Sequence, residues 1–127
     1  MENVIVLAHD EAVRMDGQAI SALTAQLGEA GAEGVINKAM EEVANRLSLI
    51  ERCYYKQETD VLRKSAKGLI SIAEQIGLME LAVSAQAVAD CAEQDDKVAL
   101  AAVVNRLVRM GDRSLTAVWD ISDISNF

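Results

Sequence analysis

An all-α fold, an antiparallel up-down four-helix bundle with an extra amino-terminal helix, is predicted by three features of this chain. It has no proline and few aromatics, and its wealth of Ala, Leu, Val and Glu favours helix throughout. Its apolar residues recur at intervals of three and four over long segments, as the buried stripe of a helix requires. Only short polar breaks separate those segments, and long helices so joined must run as antiparallel neighbours. At 127 residues the chain makes one domain with a single core. It divides into an arm and helix over 1–32, a bundle over 33–119 and a tail over 120–127.

Residues 1–9 have no clear period, and Val4, Ile5, Val6 and Leu7 fit a short strand or an arm laid over a groove. Asp10 can cap a first helix over roughly 11–27, with Ala12, Met15, Ala19, Ile20, Leu23 and Leu27 towards the core. Gly17 weakens it. Gly28, Gly31 and Gly34 then fall among acidic residues with no preceding strand, so they read as a hinge between helices and not as a phosphate-cradling loop. The second helix, 33–56, has a seam of Ile36, Met40, Val43, Leu47, Ile50 and Tyr54 alternating by four and three. Lys38, Glu41, Glu42, Arg46 and Glu51 fall mostly on its wet side.

Thr59 or Asp60 caps the third helix, in which Leu62, Ser65, Ala66, Leu69, Ala73 and Ile76 form the buried stripe. Arg63, Lys64, Lys67, Ser71 and Glu74 occupy the opposite face. Gly77 follows the last periodic residue, a position suited to a left-handed cap. The fourth helix, 78–93, presents Leu78, Leu81, Ala82, Ala85, Val88, Ala89 and Ala92, and its alanines let neighbouring backbones come close. Asp95 or Asp96 caps the fifth, 97–119, which carries Leu100, Val103, Val104, Leu107, Met110, Leu115 and Val118, with Gly111 loosening it midway. Trp119, Ile121, Ile124 and Phe127 are apolar enough to fold back or meet a partner. Met40, Met79 and Met110 read as core filler.

The stretch from Asp60 to Leu81 resembles the central helix of the histidine-containing phosphotransfer (HPt) domain. Laid on that family's pattern without gaps, Leu62 takes the first apolar place and Ala66 the small residue before the phospho-accepting histidine. Leu69 takes the leucine after it, Ile76-Gly77 the apolar-glycine pair and Leu81 the final leucine. The histidine itself falls on Lys67, and the family's Lys and Gly fall on Ile70 and Ser71. Sliding the pattern onto the literal Lys67-Gly68 pair puts the histidine on Lys64 but loses Gly77 and Leu81. On either register the histidine is a lysine.

The resemblance implies a domain built to dock on a receiver domain of two-component signalling, with its chemistry removed. A lysine ammonium is protonated at neutral pH and has no lone pair with which to attack an aspartyl phosphate. The only histidine, His9, lies near the amino terminus outside any periodic helix. Lysine can still enter a receiver's carboxylate-lined pocket. Lys67, with Arg63 and Lys64 one helical turn back and Ser71 and Glu74 beside them, is the expected contact surface. The blander reading is a solvated face whose cations balance Asp60 and Glu74.

Other chemistries find little support. A formal charge of −8 argues against nucleic acid, because phosphate binding needs a basic stripe. No apolar run approaches a membrane span, and the acidic start does not read as a signal peptide, so a cytoplasmic setting is expected. Cys53 and Cys91 fit no metal spacing and read as reduced thiols on helix flanks. Inward positions are apolar, so no metal or other cofactor is expected, and Ser and Cys nucleophiles lack a histidine base. No catalysis is expected. The expected role is a pseudo-phosphotransfer protein that binds a bacterial receiver or histidine kinase without accepting phosphate. The alternative is a homodimeric helical adaptor, pairing through the tail or the amino-terminal arm.

Overall fold

The structure, a computed structural model, describes residues 17–125, with side chains through residue 116. Four helices account for these residues, with no strand among them: α1 (Gly17–Lys56), α2 (Thr59–Gln75), α3 (Met79–Glu93) and α4 (Lys97–Ser125). The arm over 1–9, His9, the Asp10 cap, Ala12, Met15 and the side chains of Trp119, Ile121, Ile124 and Phe127 lie outside the described residues.

The helices expected over 11–27 and 33–56 join into α1, interrupted only at Gly28, where φ is 79° and ψ 171°. Essentially only glycine adopts that conformation. The hinge expected across 28–34 is therefore one residue wide. Glu29, Ala30, Ala32 and Glu33 are good helix formers, and they carry Gly31 and Gly34 into the helix despite the roughly 1 kcal/mol each glycine costs there. Burial starts only at Ala32, so Leu27, expected in the core, is 46% exposed. Beyond it the four-three seam holds. Met40, Val43, Leu47 and Ile50 are buried, and Ile36 and Tyr54 pack against them.

Three turns with one geometry join the helices. Gln57, Gly77 and Asp95 take left-handed φ angles of 61°, 80° and 57°. Each donates its N–H three residues back, to Tyr54 O, Glu74 O and Ala92 O, while the next residue donates five back, to Cys53 O, Ala73 O and Cys91 O. This paired closure satisfies the last carbonyls of a helix. The second residue of each pair then starts the following helix, since Glu58, Leu78 and Asp96 accept from the N–H groups of Leu62, Ala82 and Leu100. Gly77 behaves as its spacing predicts. Asp96 does too, its Oδ1 accepting from Ala99 N at 3.1 Å. The cap of α2 is Glu58, with no side-chain cap bond, and not Thr59 or Asp60. The Gln57 turn fixes the start of α2 one residue earlier than side-chain capping preference would.

Among the described residues α1 packs on α2 and α4, and α3 packs on α2 and α4, with no close backbone approach across either diagonal. This closed circuit surrounds Leu62, Leu69, Ile76, Leu78, Leu81, Val88 and Leu107, all essentially inaccessible. Each such aliphatic burial contributes about 1.5–3 kcal/mol. Ala66, Ala73, Ala85 and Ala89 are buried between them and bring the backbones close. Gly111 does not loosen α4. It is buried, and Leu47 of α1 occupies the space its Cβ would need, so the glycine allows close approach and the helix runs on to Ser125 rather than ending at 119. Met40 and Met110 fill core, whereas Met79 is 43% exposed. Cys53 is no flank residue but is buried in α1.

A cationic face on the second helix

Residues 64, 67, 71 and 74 lie on one face of α2 because their three-four-three spacing follows the helical turn. Lys64, Lys67, Ser71 and Glu74 are all exposed there, opposite the buried Leu62, Ser65, Ala66, Leu69 and Ala73. Arg63 sits at the edge, half-buried, and its Nη2 donates to Asp60 Oδ1 at 2.9 Å. Lys64 Nζ lies 3.4 Å from Asp60 Oδ2. The hydrogen bond from Arg63, and then the Lys64 charge, hold the Asp60 carboxyl below the usual aspartate range. Glu74, expected to share in this balance, makes no ion pair among the described residues. Neither does Lys67. Of the cations on this face, Asp60 engages two and leaves the central one unmatched.

Near this face, Arg46 departs from its expected place. Expected on the wet side of α1, it is half-buried, and its guanidinium lies across Gly68 of α2. A Cβ at residue 68 would come within 2.7 Å of Arg46 Cζ and 3.2 Å of Nη2. Its Nε is shielded from solvent and has no hydrogen-bond partner. Glu42, one turn earlier on α1, forms no ion pair with it. The sequence held one signal: Gly68 interrupts an otherwise good helix former, and an interior glycine usually marks a close approach. Nothing in the sequence named Arg46 as the group that approaches.

Elsewhere, Cys53 Sγ–H donates to Glu58 Oε1 at 3.8 Å. Burial, followed by the neighbouring Glu58 carboxylate, pushes this thiol's pKa up. It lines a cleft with Tyr54, Leu62, Lys97 and Leu100 at the end of the molecule holding the Gln57 and Asp95 turns. A poorly ionised thiol is a weak nucleophile. No group of acidic, Cys or His side chains among the described residues is arranged to hold a metal ion. No described helix is long and apolar enough to cross a membrane.

Compared with known proteins, the chain matches no family model, no curated protein and no solved structure. The functional reading therefore rests on the residues themselves.

Proposed function

We propose that this chain is an HPt-like pseudo-phosphotransfer protein of bacterial two-component signalling, which binds a receiver domain or a histidine kinase and accepts no phosphate. The observation that carries the reading is Lys67, exposed midway along α2 and without an ion pair among the described residues. It stands where the resemblance expects an imidazole. The packing supports the same reading. Gly111 lies against Leu47, and Leu100 lines one cleft with Cys53 and Tyr54, a register that suits α4 running antiparallel to α1. Connections of two, three and three residues support reading the arrangement as an up-down bundle, with the stretch before Gly28 as its extra amino-terminal helix.

The chemistry follows from charge. An ammonium offers three donors and no lone pair, so Lys67 pairs with carboxylates but cannot form a phosphoramidate. In a chain of charge −8, a local cluster of cations steers an acidic surface to this one face. Titrating a panel of receiver domains against the protein and its Lys67→Ala and Lys67→Glu variants tests this. A receiver that binds wild type, binds Lys67→Ala more weakly and Lys67→Glu weakest supports it. Equal binding by all three removes Lys67 from the account.

A second reading, the homodimeric adaptor, draws on α1. No side chain from Gly17 to Gly31 is buried, although Ile20 and Leu23 are partly covered. A second copy could complete that burial, together with the tail. Light scattering of the whole chain and of a form ending at Asp120 decides it, since an unchanged monomeric mass in both excludes tail-driven pairing.

A further inference from the structure

Gly68 sits in the interior of α2, where alanine would make the better helix. The space it leaves is filled by one side chain, the Arg46 guanidinium. Lys64 and Ser71 lie one turn to either side of Gly68 on α2, and Lys67 is its neighbour. Arg46 thus brings a planar, permanently charged donor from a second helix to one edge of the cationic face. It forms no ion pair among the described residues, although an acidic residue stands one turn away on its own helix. An arginine held against backbone loses little freedom on pairing, and its fork matches the two oxygens of a carboxylate.

We infer that Arg46, seated on Gly68 and joined by Lys64, Lys67 and Ser71, forms an oxyanion notch that receives a side-chain carboxylate of an acidic protein partner. This deepens the docking reading above and rests on it for the identity of the partner. Gly68 is a positioning residue, present so that the guanidinium can approach α2 closely. The far end of an arginine side chain moves readily, so Gly68→Ala keeps the fold and the charge of Arg46 while lifting the guanidinium from its seat.

The test is an NMR titration of the full chain with an Asp-Gly-Asp peptide at low ionic strength, following the Arg46 Nε–H and the Gly68 amide. Expected are shifts centred on these two groups, with affinity lowered several-fold in both Arg46→Ala and Gly68→Ala and unchanged in Lys97→Ala. Shifts spread evenly over all lysines and arginines overturn the notch, as does wild-type affinity in Gly68→Ala. Inorganic phosphate is titrated in parallel, and tighter binding of phosphate than of the peptide overturns the carboxylate assignment. The receiver panel separates this inference from the reading beneath it. Peptide binding at the notch with no receiver bound upholds the notch and discards the receiver, whereas a receiver that binds Arg46→Ala as well as wild type overturns the notch.

Discussion

Two interior glycines of similar helical setting should respond in opposite senses to the same substitution. At Gly111 an added Cβ meets the buried Leu47 side chain, which has nowhere to go. Overpacking outweighs the gain in helix propensity, and Gly111→Ala should destabilise by about 1–2 kcal/mol. At Gly68 the obstacle is a mobile guanidinium, so Gly68→Ala should be neutral or stabilising by up to about 1 kcal/mol. Urea unfolding of both variants measures this, and a shared sign contradicts the contrast drawn here. The left-handed turn residues form a second pair. Gly77→Ala should cost about 1–2 kcal/mol, because a side chain at φ 80° crowds its own carbonyl. Gln57→Gly should gain about 1 kcal/mol for the converse reason. Cys53, buried and held protonated by its surroundings, should resist alkylation in the folded protein while the partly exposed Cys91 reacts. Mass spectrometry of the labelled chain reads that directly.

At the scale of elements, the stripe of each helix was legible because burial imposes a period that residues such as Val43, Leu69 and Val88 cannot hide. The seam of α1 beyond Ala32, the Gly77 reversal and the Asp96 cap could all be read from residue type and spacing. What could not be read was set by neighbours in space. Gly111 looks like a weak point until Leu47 is seen beside it, and Arg46 looks solvated until Gly68 is seen beneath it. Three glycines within seven residues read as a hinge between helices, yet only Gly28 leaves the helical region. The same limit applies on the exposed face of α2. The sequence grouped Lys64, Lys67, Ser71 and Glu74 correctly, but Asp60 alone, and not Glu74, pairs with its cations. Because the Asp60 carboxyl is held low in the folded state, its pairing supports stability above the unfolded-state pKa. That support disappears as pH falls through the lower folded-state value. Asp60→Asn should therefore flatten the acid limb of the stability curve, measured by unfolding at stepped pH. An unchanged limb removes the pair from the stability account.

For the whole molecule, the decisive feature is the contrast between a net charge of −8 and one face carrying Arg46, Arg63, Lys64 and Lys67. Such a contrast orients an approaching acidic protein more than it tightens the final complex, so association should slow steeply as salt rises. Asp60→Asn should speed it by releasing Arg63 and Lys64, and stopped-flow mixing at several ionic strengths reads both effects. The closed circuit of helices holds α2 so that this face points outward. No imidazole stands among the described residues, and the role proposed above gives this face docking without group transfer. One measurement reaches that claim most directly: a receiver that binds the protein is phosphorylated, mixed with it, and the label on each chain is followed over time. The account predicts a complex in which the label stays on the receiver until it hydrolyses. Acid-labile label arriving on this chain, and vanishing in the His9→Ala variant, would contradict it.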